Sequence, residues 1–98
     1  MARRKIVWTK SANHDRLEIL SYWIERNSSK TYSLRLNKMI KEAIKIASQY
    51  PESGRKTDEG STRVKIVRDY LIFYDFNPKE IIILSIWDAN RNDQIKPY

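Results

Sequence analysis

A series of basic residues runs through the second half of this 98-residue chain: Arg55, Lys56, Arg63, Lys65 and Arg68, with Arg91 further on. Arg63 and Lys65 stand two apart in an alternating run, which puts both side chains on one face of a strand, about 6–7 Å from each other. Attack of an RNA 2′-hydroxyl on the adjacent phosphate needs a proton acceptor, a donor for the leaving oxygen, and cations on the phosphorane-like transition state. Arginine can supply the cation, and a lysine or tyrosine of lowered pKa can move the protons. Trp87 stands near the end of the same strands, where its ring can stack on a base, worth ~1–3 kcal/mol. Three readings stand side by side: a catalytic group, a solvated sheet face whose edge Trp87 covers, and a protein-binding surface.

Other chemistries lack their residues. The single histidine, His14, falls near the start of the first helical stretch and reads as a surface residue. No His/Asp/Glu set has metal-ligand spacing, so neither a metal nor another cofactor is expected. Gly54 and Gly60 bracket a charged loop, not a phosphate-binding strand-to-helix turn. The serines have no histidine nearby to activate them.

Nineteen Lys and Arg against twelve Asp and Glu give a net charge of +7. Such a charge favours polyanions or an acidic protein partner over neutral ligands. Cysteine is absent, which excludes disulfides and suits a reducing cytoplasm. Met1 to Lys10 has no apolar core of a signal peptide. The longest apolar run, Ile81 to Leu84, is far short of the ~20 residues of a membrane span. A cytoplasmic protein of one domain over residues 1–98 is expected.

The elements that must hold the basic residues follow from periodicity. Ile6-Val7-Trp8 reads as a short first strand. From about Ala12 to Arg26, Leu17, Leu20 and Ile24 fall on one helical face with Trp23 at its shoulder. Asn27-Ser28-Ser29 interrupts that helix, and either serine can cap the next. The second helix, from about Lys30 to Tyr50, places Tyr32, Leu36, Met39, Ile40, Ala43, Ala47 and Tyr50 on one side. Arg35, Lys38, Lys41 and Lys45 occupy the other side, with Leu34 exposed among them. Outward lysines at this spacing often mark only a solvated face. The exposed Leu34 also suits an acidic, amphipathic partner laid over Leu34, Lys38, Lys41 and Lys45.

Pro51 stops the second helix, because proline lacks an N–H and biases the residue before it away from the helix. Residues 51–60 read as a loop. The period then becomes two, with Val64 and Ile66 on one side and Arg63 and Lys65 on the other. Arg68-Asp69 offers a tight reversal, Tyr70 to Phe76 a strand, Asn77-Pro78-Lys79 a turn, and Glu80 to Trp87 a last, central strand. Residues 88–98 form a polar tail. The order β-α-α-β-β-β defines an α+β domain, an antiparallel sheet with an α-helical hairpin packed on one face. Arg63 and Lys65 are expected on the opposite, open face.

This order, together with Tyr50-Pro51-Glu52-Ser53-Gly54-Arg55, the hairpin from Arg63 to Tyr74, and Ile86-Trp87-Asp88 leading to Arg91, resembles the RelE/ParE superfamily of small bacterial toxins. The likeness spans Ile6 to about Asn92. It implies a toxin of a type II toxin–antitoxin system, neutralised by a cognate acidic antitoxin that wraps it with helix or strand segments. It also implies one of two targets. In the ribosome-dependent RNases of the superfamily, basic residues on the sheet and a tyrosine or histidine near the C-terminus do the chemistry. Here that set would be Arg63, Lys65, Arg68, Arg91 and Tyr98, with Arg55, Lys56 and Trp87 on the RNA. No histidine follows the third strand of the meander. The Pro51-to-Arg55 link looks more like the ParE branch, whose members poison DNA gyrase and need no nuclease site. Metal-independent cleavage of ribosome-bound mRNA is the first expectation, and gyrase inhibition through the helix hairpin and tail is the alternative.

Overall fold

Thr9 joins the first strand to everything that follows. Its hydroxyl accepts from the Ala12 N–H at 3.1 Å, capping the first helix, and donates to the Ile83 carbonyl at 2.8 Å. One side chain thus satisfies an orphan helix donor and pins the helix start to the last strand. The computed structural model describes residues 3–58 and 60–89. Along them run β1 (Lys5–Trp8), α1 (Lys10–Asn27), α2 (Thr31–Gln49), a 3-10 turn (Pro51–Ser53), β2 (Arg55–Lys56), β3 (Arg63–Val67), β4 (Tyr70–Phe76) and β5 (Glu80–Asp88). Ser28, in the left-handed region at φ 49°, ends α1. The Ser29 hydroxyl accepts from the Thr31 N–H at 3.2 Å where α2 begins.

The five strands form one sheet in the order β1-β5-β4-β3-β2. β2 to β5 pair antiparallel, as expected, but β1 runs parallel to β5, so the sheet is mixed. The parallel pairing follows from connectivity: β1 leads into the helix hairpin, which carries the chain across the sheet before the meander starts. The expected loop after α2 holds a short edge strand, β2. A shift in register between Phe73 and Tyr74 leaves Leu84 without a direct partner and makes β5 bulge.

The helices cover one sheet face. Leu36, Ile40, Ile44 and Ala47 of α2 pack with Ile72, Tyr74, Ile81, Ile83 and Ile86. Tyr50, expected on the inner side of α2, is 57% exposed, and Ile44 fills that role. On α1 the inward residues are Ala12, Ile19, Leu20 and Trp23, whereas Leu17 points outward. Two polar residues share that inner side. Asp15 accepts the Ile86 N–H at 3.0 Å, and Arg16 lies over the Trp8 ring with its guanidinium carbon 4.9 Å from the ring centroid. Burial raises the Asp15 carboxyl above its ordinary pKa, and the bond from Ile86 partly offsets this.

Candidate functional site

Cross-strand register decides which face each basic residue takes. Arg63 lies opposite Tyr74, Lys65 opposite Ile72 and Val67 opposite Tyr70. Directly paired residues share a face, and Tyr70, Ile72 and Tyr74 belong to the core beneath the helices. Arg63 and Lys65 therefore emerge on the helix side of the sheet, which corrects the expectation that they decorate the open face. Val64 and Ile66 are the residues on the open face.

On the helix side, both cations are engaged. Arg63 Nη1 donates to the Gly54 carbonyl at 2.8 Å and the Glu52 carbonyl at 3.3 Å. Lys65 Nζ donates to Ser53 Oγ at 3.1 Å. Tyr74 completes the clasp: its hydroxyl donates to the Pro51 carbonyl at 2.5 Å and accepts from the Gly54 N–H at 3.0 Å. Burial raises the Tyr74 phenol above its ordinary pKa, while the Gly54 N–H and the Arg63 charge oppose the rise. Arg63 and Tyr74 thus hold the backbone of the Pro51-to-Gly54 link, and Lys65 holds its Ser53 side chain. The close fit leaves no room at residue 54, where an added Cβ would lie 2.3 Å from the Tyr74 hydroxyl.

The remaining described residues of the expected RNA site are divided between the two faces and the β3–β4 turn. Trp87 pairs with Leu71 and packs edge-on against Phe73 at 5.4 Å, on the face away from the helices and from Arg63 and Lys65. Arg55 and Lys56 lie exposed on the edge strand β2, Arg55 opposite Val64 and Lys56 opposite Arg63. Arg68 is exposed in the β3–β4 turn at a left-handed φ of 54°. Arg91 and Tyr98 lie outside the described residues. By register Lys56 shares the helix-side face with Arg63 and Lys65, whereas Arg55 and Trp87 fall on the other face.

Leu34, Lys38, Lys41 and Lys45 line a groove of about 410 Å³ between α2 and β1, floored by Ile6, Trp8 and Ile44. Leu34 is 66% exposed. Arg3 adds a further cation to the rim, against one carboxylate, Glu42. The groove borders β1, which among the described strands lies at the sheet edge and pairs only with β5. Arg16 fixes its aromatic wall: the guanidinium donates to Asn37 Oδ1 and Asn13 Oδ1, each at 3.0 Å, while lying over the Trp8 ring. The α2 stripe was legible from helical spacing. Ile6, Trp8 and Arg16 were missed, because only the tertiary position of β1 brings them to that stripe.

A helix hairpin packed on a mixed five-stranded sheet, with an apolar groove rimmed by lysines, defines a small basic α+β domain. The chain belongs to the ParE toxin family, the ParE toxins of type II toxin–antitoxin systems (parDE), whose family model matches residues 6–93. Among solved structures it is similar to a chromosomal ParDE toxin–antitoxin system from P. aeruginosa, with a TM-score of 0.77 and 21% identity, over 90% of this chain and 98% of that chain. At that identity the likeness speaks for the fold. No curated protein sequence matches the chain.

Proposed function

We propose that this toxin arrests growth by binding DNA gyrase through its helix hairpin, and that an acidic antitoxin neutralises it by occupying the groove between α2 and β1. The observation that carries the reading is the engagement of Arg63 and Lys65 with the Pro51-to-Gly54 link. Groups that serve as structural donors to backbone carbonyls and a serine are poorly placed to bind a phosphate or move a proton. Membership of the ParE family supports the same target, since that branch of the superfamily poisons gyrase without a nuclease site.

The groove suits an acidic amphipathic segment on two counts. Its apolar floor and the exposed Leu34 would be buried under a partner's hydrophobic side chains, and fully burying one leucine contributes about 1.5–3 kcal/mol. Lys38, Lys41 and Lys45 would meet the partner's carboxylates at the rim, where charges steer encounter and set register more than they add affinity. An antitoxin seated there covers the hairpin that gyrase would contact. Supercoiling of relaxed plasmid by purified gyrase tests the proposal: added toxin should inhibit it, and inhibition should disappear with stoichiometric antitoxin. Undiminished supercoiling at excess toxin, with ribosome-bound mRNA cut instead, would favour the nuclease reading.

A further inference from the structure

A second groove, on a different part of the surface, has the opposite charge. It lies between α1 and the β4–β5 end of the sheet and encloses about 730 Å³, within the size range of ligand and side-chain pockets. Its walls are aromatic. Trp23 stands edge-on to Tyr22, with ring centroids 5.1 Å apart and planes at 85°, and its indole N–H donates to the Tyr70 hydroxyl at 2.7 Å. Tyr32 packs against Trp23 from the core side at 4.9 Å. The rings are therefore locked, while Tyr22 remains 53% exposed. Four carboxylates line the groove, those of Asp15, Glu18, Asp69 and Asp88, against one guanidinium, Arg26. On a chain of net charge +7 this is a concentrated reversal of sign.

We infer that this groove is a docking site for a basic segment of a protein partner, one that lays an arginine or lysine against the exposed Tyr22 ring and the carboxylates beside it. The inference goes beyond the gyrase and antitoxin reading, which uses the other groove. Three features select the ligand. A cation over the face of Trp or Tyr is attracted by the ring quadrupole, most strongly where water is excluded. Glu18, whose carboxylate also lies 3.4 Å from His14 Nε2, and Asp69 are exposed, where they can accept from a guanidinium or ammonium group. Asp15 is half-buried, its carboxyl raised in pKa by desolvation while it accepts the Ile86 backbone N–H, so an incoming cation would offset part of the solvation that burial removes. An acidic or neutral apolar segment would meet the same carboxylates without compensation. The two grooves thus sort partners by charge, the α2–β1 groove taking acidic segments and the α1–β5 groove basic ones.

The test is titration of the full toxin with a capped peptide of alternating arginine and leucine, followed by calorimetry and by NMR of the Trp23 indole N–H. Saturable binding that shifts that resonance is expected. Glu18→Gln combined with Asp69→Asn should weaken it at least tenfold; both side chains are exposed, so the fold should persist. Four results would overturn the inference. They are no binding by the unaltered toxin, undiminished binding by the double variant, equal affinity for the glutamate analogue of the peptide, or a concentration-dependent increase in toxin mass that the double variant abolishes. The last would assign the groove to a second copy of the chain.

Discussion

The hydroxyl of Tyr74 accepts the Gly54 N–H at 3.0 Å, and a methyl group on Gly54 would lie 2.3 Å from that same oxygen. The φ of Gly54 is −77°, an ordinary value for any residue, so the requirement for glycine is one of space rather than of backbone freedom. Gly54→Ala should therefore cost about 1–3 kcal/mol through overpacking. Denaturant unfolding checks this. Tyr74→Phe in the Gly54→Ala background should recover part of the loss, a coupling that independent sites would not show.

Alkali should destabilise the protein through the same clasp. Burial raises the phenols of Tyr74 and Tyr70 above their ordinary value of 10.0. Between the unfolded and folded pKa values the native state retains protons that the unfolded chain releases. Stability is thus fully present below pH 10 and falls as pH rises through the folded values. Tyr74→Phe should lower stability by about 1–3 kcal/mol near neutrality, through loss of its hydrogen bonds and the unpaired Gly54 N–H, and should flatten the decline above pH 10. Thermal melts across pH 8–11 measure both effects.

Arg63→Ala should lower stability by about 1 kcal/mol, since it removes donors to the Gly54 and Glu52 carbonyls at a partly exposed site. Lys65→Met, which gives up a solvent-screened bond to Ser53, should change stability by less than about 0.5 kcal/mol. Both variants, once folded, should remain toxic. Growth curves after induction, normalised to soluble toxin, decide the matter, and loss of toxicity in folded Lys65→Met would restore the nuclease reading.

Lys38→Glu with Lys41→Glu should leave the fold intact, since both side chains sit on the outer side of α2. The charge reversal should weaken antitoxin binding at least tenfold and slow association more at low salt than at high salt. Surface plasmon resonance across ionic strengths would show it. Leu34→Ala should raise the dissociation rate instead, because it removes buried apolar contact rather than steering charge.

The parts of this fold that can be read from sequence are those with a strong local period. α2 was legible because its stripe repeats through Leu36, Ile40 and Ala47 with Pro51 as a stop signal. β4 and the Asn77-Pro78-Lys79 turn were legible for the same reason; Asn77 Oδ1 accepts from the Lys79 and Glu80 N–H groups at 2.9 and 2.8 Å. α1 was harder. Asp15 and Arg16 sit on its inner side, so polarity broke the stripe and Leu17, which is exposed, was read as inward. Alternation in β3 established that Arg63 and Lys65 share a face but could not say which face. That choice rests on the pairing of β3 with Tyr70, Ile72 and Tyr74, a long-range fact without a local signature. The parallel placement of β1, separated by most of the chain from β5, is of the same kind, and it hid the groove that Trp8 and Ile6 complete.

Pulse labelling after induced expression in bacteria tests the central claim most directly, with thymidine and amino-acid incorporation followed side by side. Gyrase inhibition should depress thymidine incorporation first while translation continues. Early collapse of amino-acid incorporation with intact DNA synthesis would contradict the account and point to mRNA on the ribosome.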